Sequence, residues 1–286
     1  MGNKKKLIAR GLTDLFPKDI DTFIDLFAGS AIASMNTKAK SYVINDKDIH
    51  LYNFYKMFSE FTAEEIIGKI KTNIEYFKMN QTGVKQNTPE AEIYKPRYIH
   101  MRSKANESKD ITDLYSCMFY AFSQQMRFNK NGDFNMPFGN RTFTTKNEEY
   151  IFNGCKFFSL KELKICNKDF REIDLSSLSS DDFVYIDPPY IGTTATYTEN
   201  GGWSEADEYD LHKLCEQLTA MNVKFALSNV FKNKGVVNQQ LIDWVENNEY
   251  YVHYFDGFNY MACGKGNAKT IEVLITNYKT GEKINE

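Results

Sequence analysis

Thr22-Phe23-Ile24-Asp25-Leu26-Phe27 runs directly into Ala28-Gly29-Ser30, and the reading of this junction decides the fold. A short apolar run carrying one acid reads as a buried strand, and the glycine-containing stop marks a tight turn into a helix. Ser41-Tyr42-Val43-Ile44-Asn45 repeats the strand signal, and helical spacing follows from Lys47 to about Glu60. The succession β-α-β-α predicts the opening of a doubly wound, mostly parallel sheet. Upstream, Leu7 to Phe16 has helical spacing and stops at Pro17. From Thr62 to about Phe122 only helical periodicity is present, broken by the polar stretch Gln81 to Pro89, and Met126 to Thr144 reads as a loop or irregular hairpin. Strand character returns at Leu163 to Asn167 and Asp182 to Asp187. A helix over Ser204 to Met221 then leads to the strand Val223 to Asn229, and Tyr250 to Phe255 with Thr270 to Tyr278 suggests a closing antiparallel hairpin. The expected architecture is an α/β domain formed by residues 1–61 and 153–286, interrupted by a largely helical insert over 62–152.

The chain has 286 residues, 42% of them hydrophobic, enough to bury a sizeable core and exclude wholesale disorder. Its 22 Phe and 18 Tyr exceed what a plain core needs and suit a protein that stacks flat rings. A net charge of −3 argues against a general nucleic-acid coat protein, yet the charge is unevenly placed. Between Lys95 and Lys146 nine basic residues (Lys95, Arg97, Arg102, Lys104, Lys109, Arg127, Lys130, Arg141, Lys146) face four acids (Glu107, Asp110, Asp113, Asp133), a local charge of +5 that leaves −8 for the rest. Taken alone, such a window is a solvated helical face. The five cysteines are scattered with no Cys-x-x-Cys pair, which points to a reducing, cytoplasmic setting and away from a disulfide framework or zinc site. His50, His100, His212 and His253 are dispersed, so no metal is expected, and no stretch approaches membrane-spanning length.

The chemistry concentrates at Asp187-Pro188-Pro189-Tyr190. Two consecutive prolines lack N–H donors and fix φ, so the strand ending at Ile186 must stop at the sheet edge where α/β proteins bind ligands. A carboxylate beside freed carbonyls offers two acceptors in a fixed frame, which is what an amine with two N–H groups requires. Asp187 is accordingly expected as an acceptor rather than as half of a buried ion pair. Tyr190 supplies a face on which a planar base can stack. The bland alternative is a strand-ending turn capped by Asp. Separately, Gly29 opens a loop whose N–H groups can hold an anion, and Asp46 ends the second strand where a ribose-binding acid belongs. An N-cap for the following helix is the competing role for Asp46. Together these two features favour a nucleoside-bearing cofactor without saying which.

These residues resemble the Dam-like (D12 class) adenine-specific DNA methyltransferases. Asp187 to Tyr190 resembles that family's catalytic motif, and Phe23 to Ser30, with Asp25, Phe27 and Gly29, resembles its S-adenosylmethionine loop. Gly2-Asn3-Lys4 is similar to the N-terminal motif whose lysine reaches the cofactor, and Asn167-Lys168-Asp169-Phe170 to the stretch that holds its adenine. Arg127 to Gly139, with Asn129, Lys130, Asn135 and Pro137, resembles the target-recognition segment, and Lys265 to Asn277 resembles the closing hairpin less closely. The family's loop usually has a second glycine where this chain has Ala31. The resemblance implies a Rossmann-like methyltransferase sheet, S-adenosylmethionine as cofactor bound by Lys4, Asp25, Phe27, Gly29, Asp46, Asp169, Phe170 and Asp187, and double-stranded DNA as substrate. It implies that the target adenine is flipped onto Tyr190 and that the basic insert is DNA-facing, with Arg127 reading guanine and Arg141 among its DNA contacts. A GATC-like target is expected. The same class of enzyme serves either alone or beside a cognate restriction endonuclease, with no obligate protein partner. Two other readings stay open: a protein glutamine-amide methyltransferase, which normally has Asn where this chain has Asp187, and a non-catalytic DNA-binding protein on the same fold. No residue here excludes RNA.

Overall fold

The structure, a computed structural model, describes residues 4–80, 84, 87–190, 203–233, 236–258 and 270–280. In chain order its elements are α1 (Lys5–Ile8), β1 (Thr22–Asp25), α2 (Ile32–Met35), β2 (Ser41–Asn45), α3 (Ile49–Glu60), α4 (Ala63–Tyr76), α5 (Pro89–Ser108), α6 (Ile111–Met118) and α7 (Thr145–Phe158). There follow β3 (Leu163–Cys166), β4 (Phe183–Ile186), α8 (Glu205–Ala220), β5 (Lys224–Asn233), β6 (Val236–Val237), α9 (Gln239–Asn247), β7 (Tyr251–Phe258) and β8 (Thr270–Thr276). The helix expected over Leu7 to Phe16 is two pieces, α1 and a 3-10 turn at Thr13–Leu15. Gly11 separates them at φ +89°, a left-handed value that ends a helix.

The chain forms two compact units, one of Asn53–Lys161 and one of Gly2–Tyr52 with Glu162–Glu286. In the second, one sheet has the order β3-β2-β1-β4-β5-β8-β7, with β6 beside β5. The pairs β1/β2, β1/β4, β2/β3 and β4/β5 are parallel, and β5/β8, β7/β8 and β5/β6 are antiparallel. Every residue of β4 is buried, as an apolar run at the centre of a sheet covered on both faces must be. Strand order reverses between β1 and β4, where Asp25 is in register with Tyr185, so the carboxyl ends of these two strands open the crevice typical of a ligand site. Packed on the sheet, Leu211, Cys215 and Leu218 of α8 and Leu241, Trp244 and Val245 of α9 join Val184, Ile186, Phe225 and Leu227 in one core. Burying one such large side chain contributes roughly 1.5–3 kcal/mol.

The Asn53–Lys161 unit is built from α4 to α7 and the carboxyl-terminal part of α3. Its core gathers Phe54, Met57, Ile66, Ile70, Tyr98, Met101, Leu114, Phe134, Ile151 and Cys155. It therefore takes in more chain at each end than residues 62–152, because α3 and α7 bury side chains there. Local chemistry starts each helix. Thr62 and Glu65 form a capping box, Thr88 caps α5 ahead of Pro89, and Asp110 caps α6. The segment between α6 and α7 is an irregular hairpin, with bridges Ala121↔Phe138 and Phe128↔Phe134. Gly139 is required there, since a Cβ would lie 2.5 Å from the Ala121 carbonyl oxygen.

Candidate active site

Asp187 follows the last residue of β4, and the prolines behind it prevent the strand from continuing. Its Oδ1 accepts the Tyr190 hydroxyl at 3.0 Å and lies 3.2 Å from Nζ of Lys4. The Lys4 ammonium also donates to Tyr190 Oη and, at 2.7 Å, to Oε1 of Glu272 on β8. Lys4, only 6% exposed, and Glu272, 1% exposed, are thus locked together inside the protein. Asp187, half-buried, is therefore the partner of buried Lys4 in an ion pair as well as an acceptor, which corrects the reading of it as an acceptor alone. Burial alone would lower the Lys4 pKa, but Asp187, Tyr185 and Glu272 outweigh it and hold the ammonium above the usual lysine range. For Asp187 burial dominates and raises the carboxyl pKa, opposed by Lys4 and by the Tyr190 hydroxyl.

The loop after β1 brings the next residues together. Gly29, at φ +55°, donates its N–H to Oδ2 of Asp46 at 2.9 Å, and Oδ1 of Asp46 accepts the Asp48 N–H. Asp48, rather than Asp46, meets the start of α3 by accepting the His50 N–H at 2.8 Å. The N-cap alternative for Asp46 thereby falls to its neighbour. Burial pushes Asp46 up to about 6 despite these two backbone N–H donors. Ala31, where the family has its second glycine, is itself left-handed at φ +53°, which accounts for a glycine at that position. Asp25, 1% exposed, accepts the Ser34 hydroxyl through Oδ2, while its buried Oδ1 finds no partner among the described residues. Burial pushes Asp25 up to about 7, against the Ser34 hydrogen bond and with Asp187 and Asp46 adding to the rise. An orphaned buried oxygen at a crevice fits a site that completes its hydrogen bonds with a ligand.

Phe27 and Phe170 lie with ring centroids 5.4 Å apart, and Trp203 meets Phe27 edge-on at 5.6 Å and Phe170 at 5.7 Å. The indole N–H of Trp203 donates to buried Glu208 at 2.6 Å, which fixes the ring. Asp169 caps the turn carrying Phe170 and accepts Lys47 at 2.8 Å and Arg171 at 3.1 Å, so its carboxylate holds this wall in place. Glu272 and Trp203 were not singled out by motif. A lone acid inside Ile271-Glu272-Val273-Leu274-Ile275 was the available signal for the first, because a buried glutamate needs a cationic partner.

In the other unit, Arg127 donates through Nε to Asn135 Oδ1 at 2.9 Å. Asn129 turns the chain, its Oδ1 accepting the N–H groups of Asn131 and Asp133. The Pro137 carbonyl accepts the Phe122 N–H at 2.9 Å, and Lys130 and Arg141 are exposed. Parts of the basic window are structural: Arg97 donates to the Lys78 carbonyl, Arg102 to the Met136 carbonyl, and Lys104 and Lys109 pair with Glu107 and Asp133. Gly2, Asn3 and Lys265 to Lys269 lie outside the described residues.

A mostly parallel sheet with a terminal antiparallel pair, and a proline-stopped acid at its switch point, define a Rossmann-like methyltransferase domain. The profile of the family described as "D12 class N6 adenine-specific DNA methyltransferase" matches residues 1–265. The chain belongs to that family. It is 31% identical over 98% of its length to "Modification methylase StsI" of Streptococcus sanguinis and 30% identical over 97% to "Type II methyltransferase M.FokI" of Planomicrobium okeanokoites. It is 28% identical over 99% to "Modification methylase LlaI" of Lactococcus lactis subsp. lactis. The chain spans 42% of the length of the first two relatives and 43% of the third. Among the described residues no helix is long and apolar enough to cross a membrane.

Proposed function

We propose that this chain transfers a methyl group from S-adenosylmethionine to the exocyclic amine of adenine in double-stranded DNA. The observation that carries the reading is Asp187 at the end of β4, half-buried and held by Lys4 and Tyr190 beside the Gly29–Asp46 loop. The residues fit the cofactor: orphaned acceptors on Asp25 and Glu272 suit its cationic groups, and Phe27, Phe170 and Trp203 offer rings for its adenine. Bound there, S-adenosylmethionine supplies an electrophilic methyl on a sulfonium.

The adenine amine is a poor nucleophile because its lone pair is delocalised into the ring. Asp187 and the Pro188 carbonyl accept its two N–H groups and favour a pyramidal nitrogen with a localised pair. Those contacts strengthen as positive charge develops on nitrogen, so they stabilise the transition state more than the ground state. Lys4 fixes the orientation of Asp187, and Tyr190 presents its ring to the base. Because the amine is buried in a duplex, the base is flipped out, at a cost of a few kcal/mol of stacking and pairing. Target reading falls to residues 62–152, with Arg127 as guanine partner and Lys130 and Arg141 on phosphates, and a GATC-like site is the first to try. The relatives named as modification methylases favour protection of DNA beside a cognate endonuclease in the cytoplasm.

The test is incorporation of labelled methyl from S-adenosylmethionine into duplex DNA, with single-stranded RNA and a glutamine-containing protein as parallel acceptors, followed by mapping of modified adenines. Label in protein or RNA but not in DNA would refute the assignment.

A further inference from the structure

Glu272 sits on β8 between Ile271 and Val273, in register with Val230 of β5 and Phe255 of β7. Its Oε1 accepts Lys4 at 2.7 Å and lies 3.5 Å from the Tyr190 hydroxyl, and among the described residues its buried Oε2 has no hydrogen-bond partner. Lys4 is already shared with Asp187 at 3.2 Å. Among the described residues one ammonium therefore faces two carboxylates, and the cluster carries more negative charge than that cation balances. Buried charge without a counter-charge is costly, and a ligand bringing positive charge relieves it.

We propose that Glu272 is a specificity-determining residue, supplying the uncompensated negative charge by which the site prefers a sulfonium cofactor to the neutral thioether left after transfer. The inference rests on the methyl-donor reading above. Transfer moves the methyl to the acceptor nitrogen, the electron pair of the broken C–S bond stays on sulfur, the nitrogen takes up the positive charge and sheds it as a proton to solvent, and the ligand loses one positive charge. The lost attraction to Glu272 then favours release of the spent cofactor. If Glu272 merely anchored Lys4, its loss would weaken binding of both forms alike.

The experiment is calorimetric titration of the full chain with S-adenosylmethionine and with S-adenosylhomocysteine, for wild type, Glu272→Gln and Glu272→Asp. The Gln variant, nearly isosteric, is expected to lower the preference for the sulfonium on the order of tenfold, because one full charge is removed from the cluster. Glu272→Asp keeps the charge and should keep the ratio even where both affinities fall. Equal weakening of both ligands by Glu272→Gln, or an unchanged ratio, overturns the proposal. Should that variant not fold, wild type decides. Sinefungin, with an ammonium-bearing carbon in place of the sulfonium, must bind more tightly than the thioether, and the reverse order overturns the proposal. Wild type that binds none of the three ligands refutes the methyl-donor reading itself, and the proposal with it.

Discussion

Nζ of Lys4 lies 3.2 Å from Oδ1 of Asp187, so a residue at the foot of α1 orients the carboxylate at the end of the central strand. Asp187→Ala is expected to reduce methyl transfer on the order of 10²-fold or more, the cost of removing a transition-state acceptor. The protein should still fold, because Glu272 remains to hold Lys4 at 2.7 Å. Since burial raises the Asp187 pKa, wild-type turnover should fall off at a pH above the ordinary carboxylate range as the acceptor becomes protonated. Near-normal turnover by the folded variant would refute the role.

Tyr190 has two faces to its function. Its hydroxyl donates to Asp187 at 3.0 Å, and its ring is the expected platform for the flipped base. Tyr190→Phe should therefore lose part of the activity, and Tyr190→Ala should lose a further ~1–3 kcal/mol in stacking. Equal losses in turnover assays of the two variants would assign the whole effect to the hydroxyl.

Ala31 tests how much strain the loop after β1 tolerates. A left-handed non-glycine costs ~1–2 kcal/mol, which Ala31→Gly relieves. The same change loses ~0.8 kcal/mol of methyl burial and adds ~0.5–1 kcal/mol of unfolded-chain entropy. Ala31→Gly should thus change stability by less than about 1 kcal/mol, whereas branched Ala31→Val should be strongly destabilising. Denaturant melts that place Val and Gly alike would contradict the strained geometry.

What the sequence made legible follows from how local each signal is. Phe23-Ile24, Tyr42 to Ile44 and Phe183 to Ile186 are apolar runs bounded by polar residues, and the proline stop after Asp187 needs no tertiary knowledge. The helix Gln239–Asn247 was not anticipated, though Leu241, Trp244 and Val245 carry its spacing, because polar residues dilute so short a pattern. Glu272 was illegible for a deeper reason. Its partner Lys4 lies near the other end of the sequence, and only the folded sheet reveals that the pair is buried. Trp203 likewise meets Phe27 and Phe170 only in the folded chain, where Glu208 fixes its indole.

Asp25 predicts a pH-dependent stability. Its carboxyl is pushed from the ordinary 3.8 up to about 7, so the folded state holds a proton that the unfolded chain has released. No penalty exists below about 3.8; it grows as pH rises toward 7 and is complete above that, on the order of a few kcal/mol. Asp25→Asn, which cannot ionise, should gain stability over wild type as pH is raised from 5 to about 8. Thermal melts of the ligand-free proteins across that range decide it: a constant gap would mean that Asp25 titrates normally.

Arg127 separates specificity from chemistry. Its Nε is engaged by Asn135 at 2.9 Å, which fixes the side chain on the hairpin and leaves the terminal amino groups as a paired donor. Such a pair matches O6 and N7 of guanine and no other base. Arg127→Ala is therefore expected to lower discrimination at one guanine of the target by ~1–3 kcal/mol while leaving S-adenosylmethionine affinity unchanged. Asn135→Ala, which frees the guanidinium without removing it, should lose a fraction of the same discrimination at the same base pair. Lys130 is exposed and suited to phosphate, so Lys130→Ala should weaken binding to all sequences alike and reduce its salt dependence. The measurement is turnover on duplexes substituted one base pair at a time, for wild type and the three variants. If Arg127→Ala slows every duplex by the same factor, its guanidinium positions the DNA backbone and another residue reads the base.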